Sequence, residues 1–168
     1  SIERKLADVL VPVKNLCWDN YRRKPYPHQQ YGVRWLLGLV NDPNEPGGCL
    51  LADDMGLGKT FMSLAAIEHL YQNWENGGVT VKPCLVIAPL SLLQNWKDEV
   101  EKTFVISPFR DVVILQSDGD LNQYRCGGVE TKNQSFEDGE AVIRYSLKIG
   151  SDFGSERLDM PRRLVITT

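Results

Sequence analysis

No run of about eighteen apolar residues occurs anywhere in the sequence, so no membrane-spanning helix is expected and no membrane partner is implied. No C-x-x-C pair occurs either. The four cysteines, Cys17, Cys49, Cys84 and Cys126, stand far apart, and two histidines do not complete a zinc set. Cys49 and Cys84 lie in apolar runs and read as small buried hydrophobes. The opening Ser1-Ile2-Glu3-Arg4-Lys5 leads into no signal-type apolar block, and the missing initiator Met reads as a trimmed chain. Strong charge of one sign is also lacking, with a net −3. A basic stripe can sit on such a chain, so bulk charge neither supports nor excludes nucleic acid. The densest basic run, Arg22-Arg23-Lys24, reads as a solvated loop. What remains is an intracellular, reduced protein whose 168 residues, 42% of them hydrophobic, suit one domain with a real core.

Order along the chain is more informative. Residues 1–24 read as a lead-in helix broken by Pro12, followed by a loop. Pro25 and Pro27 mark a helix start, and Val33, Leu36, Leu37 and Val40 fall on one face of it. Residues 41–48, rich in Asn, Pro and Gly, form an emphatic loop. Cys49–Ala52 has the look of a buried strand, then a Gly-containing turn, then a helix from Lys59 to about Trp74 with Leu64, Ile67, Tyr71 and Trp74 on one stripe. Cys84–Ala88 reads as a second strand. Ser91 can cap the next helix, whose stripe is Leu93, Trp96, Val100 and Phe104, with Trp96 a core residue rather than a base platform. Val112–Leu115 and Leu164–Thr167 complete the strands. Strand–helix alternation predicts an α/β fold with a mostly parallel sheet covered by helices on both faces. Between them, 116–160 is polar, but Ile143, Tyr145, Leu147 and Ile149 alternate with polar residues, which predicts a β-hairpin or ribbon insertion, read as surface elaboration with a DNA-contacting or regulatory element as the alternative.

The decisive stretch is Asp53-Asp54-Met55-Gly56-Leu57-Gly58-Lys59-Thr60. A triphosphate needs inward-facing N–H donors and positive charge, and a helix N-terminus offers both. Gly56 and Gly58 let the backbone curl into an anion nest, Lys59 supplies a mobile cation for the β- and γ-phosphates, and the Thr60 hydroxyl is placed to ligate Mg²⁺. Lys59 and Thr60 are therefore the candidate catalytic pair, with Asp54, Met55, Gly56, Leu57 and Gly58 as the nucleotide cradle. The generic motif asks for glycine where Asp53 stands, but a strand before and an amphipathic helix after supply the required context.

These residues resemble the first RecA-like lobe of Swi/Snf-type ATPases within helicase superfamily two, which read Asp-Glu-Met-Gly-Leu-Gly-Lys-Thr at this loop. Asp53 then fits, and Asp54 replaces Glu. Pro27–Leu36 resembles the family's adenine-reading segment, Leu85–Trp96 its motif Ia, and Leu164–Thr168 the strand and paired threonines before the acidic box. The resemblance covers about residues 25–115 and 162–168. It implies a three-layer P-loop fold, ATP and Mg²⁺ as cofactors, and Gln29 facing the adenine. His28 stands where the family often has Tyr. It implies Ser91, Leu92, Thr167 and Thr168 as contacts to DNA phosphates, through hydroxyls and backbone N–H groups. It implies double-stranded DNA and a second RecA-like lobe as partners, and a home in bacterial cytoplasm or a eukaryotic nucleus. An Asp-Glu-x-His box is expected after Thr168, and arginine fingers from the second lobe. Without them the polypeptide is expected to bind nucleotide and barely hydrolyse it. Two other readings stay open on the sequence: a non-catalytic module that kept the loop for structure, and a P-loop kinase or GTPase. The intact Lys59 and Thr60 tell against the first, and the absence of Asn-Lys-x-Asp tells against a GTPase.

Overall fold

A computed structural model describes residues 15–40, 48–127, 132–137 and 140–168. The lead-in helix expected in 1–14 and the centre of the 41–48 loop lie outside these residues, and 15–24 is irregular backbone. The chain divides into two compact units: the residues up to Thr80 with Asp98–Pro108, and Val81–Lys97 with Phe109–Thr168.

The first unit is built on α1 (Pro27–Val40) and α2 (Lys59–Asn76). Pro27 sits at the first helical position, where its fixed φ fits and no N–H is wasted. Gln29, two residues on, turns its side chain back so that Tyr26 N donates to its Oε1 at 3.1 Å, half of a capping box. The predicted apolar face of α1 is buried at Val33, Leu36 and Leu37. On α2 the buried face carries Phe61, Met62, Leu64, Ala65 and Tyr71, but also Glu68 and His69. Helix α2 ends at Gly77 and Gly78, whose amides donate to Asn73 O and Glu75 O. Gly78, with φ +68, takes the left-handed step that stops a helix cleanly.

The residues before α1 are strapped down by polar bonds. Asn20 Nδ2 donates to Glu68 Oε1 at 2.9 Å and to the Ile106 carbonyl, and Arg22 N donates to Thr103 O. Trp18, Tyr21, Phe61, His69 and Phe104 form a chain of edge-on, tilted and stacked rings around them. Burial first, and the facing Glu68 carboxylate second, push the Tyr21 phenol far up, so it stays protonated. The predicted solvated loop at Arg22-Arg23-Lys24 is thus only partly so: Arg22 Nε donates to Glu101 O at 2.8 Å, and Arg23 is held by side chains.

The second unit carries a three-stranded parallel sheet, β1 (Cys84–Ile87), β2 (Asp111–Leu115) and β5 (Arg163–Thr167), in the order β1-β5-β2. The last strand in sequence lies in the middle, which suits its near-continuous burial from Arg163 to Ile166. Leu115, Tyr124 and Val165 form a core cluster, with Val113, Leu121 and Leu158 packed against it. Between β2 and β5 the predicted insertion is present: a short helix α4 (Asp118–Asn122), then an antiparallel hairpin of β3 (Lys132–Glu137) and β4 (Glu140–Tyr145). The alternation read from the sequence outlasts the strand, since Leu147 makes only an isolated bridge to Arg125 and Ile149 is exposed. Helix α3 (Leu93–Thr103), whose residues from Asp98 onward count with the first unit, buries Leu93 and Val100 of its predicted stripe and leaves Trp96 half-buried. Among the described residues no helix is long and apolar enough to cross a membrane.

Two expectations are corrected. Cys49–Ala52 forms no strand: its backbone pairs with none among the described residues, Cys49 is exposed and Leu50 is 80% exposed. An apolar tetrapeptide becomes a strand only when a neighbour takes up its N–H and C=O groups, and here none does. Ser91 caps no helix. It lies inside a 3₁₀ turn, Leu90–Leu92, where Leu92 N donates to Pro89 O, and that turn takes over the start of α3.

Candidate phosphate-binding site

The loop Asp53–Thr60 leads straight into α2. Gly56 (φ +86) and Gly58 (φ +83) both stand in the left-handed region, as the sequence requires of an anion nest. They differ in their surroundings. A Cβ on Gly56 would meet open space, whereas one on Gly58 would lie 2.3 Å from Gln29 Nε2. Asp53 to Leu57 are exposed, with Met55 at 94%. Lys59 Nζ folds back to donate to the carbonyls of Asp53 and Asp54 at 2.6 and 2.8 Å. Its ammonium therefore lies over the mouth of the loop, satisfied by two weak neutral acceptors that a phosphate oxygen could replace. Thr60 follows Lys59 in the first turn of the helix, and its hydroxyl has no hydrogen-bond partner among the described residues. Two curled glycines, a cation on the same loop and a free hydroxyl at the helix start fit a Mg²⁺-polyphosphate. Lys59 would meet the phosphates and Thr60 the metal. No cluster of three His, Cys, Asp or Glu exists among the described residues.

Gln29 stands against this loop, 3% exposed. Its Nε2 donates to the Leu57 carbonyl at 3.3 Å, and its Oε1 accepts from Tyr26 N and from Arg23 Nη1 at 3.2 Å. His28 Nε2 lies at 3.3 Å from the same carbonyl, and its ring stacks under Tyr26 at 5.9 Å. Alongside opens a cavity of about 600 Å³ lined by His28, Tyr31, Trp35, Leu51, Asp53 and Leu57 among others. Arg23 was missed from sequence. A basic run before a proline gives no sign that one of its members will reach forward six residues.

The candidate DNA contacts fall in the second unit. Ser91 and Leu92 follow β1 and are exposed, while Thr167 ends β5 in register with Ile87 and Thr168 follows it. Ala88 N donates to Thr167 O, so the parallel strands deliver both segments to one end of the sheet. Thr167 Oγ1 donates to Leu115 O at 2.9 Å and is committed to β2, and Thr168 is exposed. The Ser91 hydroxyl has no hydrogen-bond partner among the described residues.

A parallel sheet in the order β1-β5-β2, with helices between the strands in sequence, defines an α/β fold. The SNF2-related domain matches residues 28–149. The chain belongs to that family. Its relatives occur in bacteria and eukaryotes. It is 44% identical over 78 residues to Zorya protein ZorD of Escherichia coli, covering 46% of this chain and 7% of ZorD. It is 38% identical over 100 residues to Helicase SWR1 of Saccharomyces cerevisiae, covering 60% of this chain and 6% of that protein. With the DNA repair and recombination protein RAD54-like of Gallus gallus it shares 38% over 78 residues, 45% of this chain and 11% of the relative. The chain thus spans a small part of each of these three relatives.

Proposed function

We propose that this chain is the ATP-binding first motor lobe of a Swi/Snf-type, DNA-dependent ATPase and translocase. The observation that carries the reading is the loop itself: two left-handed glycines ahead of a helix that begins Lys59-Thr60. The nest and helix N-terminus would hold the phosphates, Lys59 would exchange the Asp53 and Asp54 carbonyls for the β/γ oxygens, and Thr60 would hold Mg²⁺, which when bound would supply positive charge beside the transferring group. The residues of the site are Gln29, Asp54, Met55, Gly56, Leu57, Gly58, Lys59 and Thr60. Ser91, Leu92, Thr167 and Thr168, gathered at one end of the sheet, meet the phosphates of double-stranded DNA. A second RecA-like lobe completes the motor. The names of relatives, a recombination protein and a helicase, agree with work on DNA.

The sequence contains no Asp-Glu-x-His. Attacking water and metal therefore lack their usual carboxylates here, and finger arginines from a second lobe are worth about 10³-fold or more. This polypeptide alone is expected to bind ATP and turn it over at a rate near background. A longer form with that box and a second lobe should hydrolyse ATP faster with duplex DNA than without. Equal rates with and without either duplex or single-stranded DNA would remove the DNA-motor reading. Steady turnover by this chain alone, abolished in Lys59→Ala, would remove the claim that its hydrolytic machinery is incomplete.

A further inference from the structure

The Gln29 amide can sit in its pocket only one way round. Its Oε1 accepts from two donors, Tyr26 N at 3.1 Å and Arg23 Nη1 at 3.2 Å, and its Nε2 donates to the Leu57 carbonyl at 3.3 Å. Turning the amide over would face NH₂ with two donors and oxygen with a carbonyl. The same Nε2 stands 2.3 Å from where a Cβ on Gly58 would be, so the amide lies directly against the Leu57-Gly58 backbone. Arg23 is itself aimed by two rings, its guanidinium carbon 4.6 Å from the centroid of Phe61 and 5.4 Å from that of Tyr26. Phe61 is buried in the first turn of α2, two residues after Lys59. The guanidinium thus touches the helix that the loop feeds, and reaches the loop itself through Gln29.

We propose that Arg23 is a positioning residue for the phosphate loop, locking the Gln29 amide so that it holds the Leu57-Gly58 backbone in a polyphosphate-ready curl. The relay rests on the loop being a nucleotide site, but it makes a separate claim. Its effect falls on the polyphosphate part of a ligand, whatever base is attached.

The test is binding of Mg²⁺-ATP and of Mg²⁺-tripolyphosphate, which has no base, to the chain and to Arg23→Ala, Arg23→Lys, Gln29→Ala and the Arg23→Ala/Gln29→Ala double variant. Each is measured well below its own unfolding temperature. Arg23→Ala is expected to weaken both ligands by the same factor, about fivefold for a charged hydrogen bond and an exposed cation–ring contact. Arg23→Lys, which keeps a cationic donor, should recover part of the loss. Arg23→Ala should cost little more once Gln29 is already Ala, because the two act in series. Loss of ATP affinity with tripolyphosphate unchanged would mean the amide serves the base, and the proposal fails. It fails equally if Arg23→Ala lowers only the unfolding temperature, or if the two substitutions add. No binding by the unsubstituted chain, or binding indifferent to Lys59→Ala, would defeat the nucleotide reading itself.

Discussion

Gly58 and Gly56 share a backbone conformation, yet they carry different weight. Any Cβ at φ near +85° costs about 1–2 kcal/mol, and at Gly58 that Cβ would also drive into Gln29 Nε2. Gly58→Ala is expected to lose more stability in urea unfolding than Gly56→Ala and to lower nucleotide affinity, while Gly56→Ala shows the strain alone. His69 offers a second test. Burial, chiefly, lowers its pKa, although Glu68 and Gln72 beside it pull the other way. A histidine whose folded pKa lies below its unfolded value binds its proton more readily when unfolded. Stability is therefore unaffected by His69 above the unfolded value of about 6.5 and falls as pH drops below it, by up to ~1.4 kcal/mol per pH unit. His69→Gln should flatten the unfolding-midpoint curve below about pH 6.5. An unchanged slope would mean Glu68 already compensates the charge.

Element by element, local pattern decided what was legible. The strands at Cys84, Asp111 and Arg163 are short apolar runs between turn signals, and each finds a parallel neighbour. Cys49–Ala52 has the same pattern without the neighbour, and pattern alone cannot supply one. Helix α4 was missed although Ser117 and Asp120 form a full capping box, because no apolar run follows to draw attention to it. Glu68 and His69 fall on the buried face of α2 because Asn20, Trp18 and Tyr21 close over them, contacts nearly fifty residues distant that no periodicity reveals. The sheet has one strong polar anchor. Arg163 donates bidentately to Asp111 across β5 and β2, and Nη1 and Nη2 also donate to the Arg157 and Ser155 carbonyls. The pairing raises the Arg163 pKa still further, so it never loses its charge. Asp111→Ala strands a guanidinium that is 6% exposed, for a cost of about 2 kcal/mol, held below the range for a fully buried pair because Asp111 itself is 37% exposed. Urea unfolding measures it. Faster tryptic cleavage after Arg157 or Arg162 should accompany it, since the same guanidinium ties down that segment.

At the scale of the whole molecule, the candidate site was legible and its surroundings were not. Gly56, Gly58, Lys59 and Thr60 stand out as a candidate phosphate loop because their chemistry is local: curled backbone, cation, hydroxyl, helix start. The surroundings of the loop combine Arg23, Tyr26 and Gln29, close together in sequence, with Phe61 from the next helix, each with an ordinary local explanation. Family membership supports the proposed reading of the loop, and the chain spans only a small share of the length of ZorD, SWR1 and the RAD54-like protein.

The most direct measurement is calorimetric titration of Mg²⁺-ATP into this chain beside Lys59→Ala. The account predicts saturable one-to-one binding for the unsubstituted chain, weakened at least tenfold by the substitution, with release of ADP near the uncatalysed rate in both. Saturable binding of equal strength in the two proteins would contradict it, because the phosphate loop would then not be where the nucleotide sits.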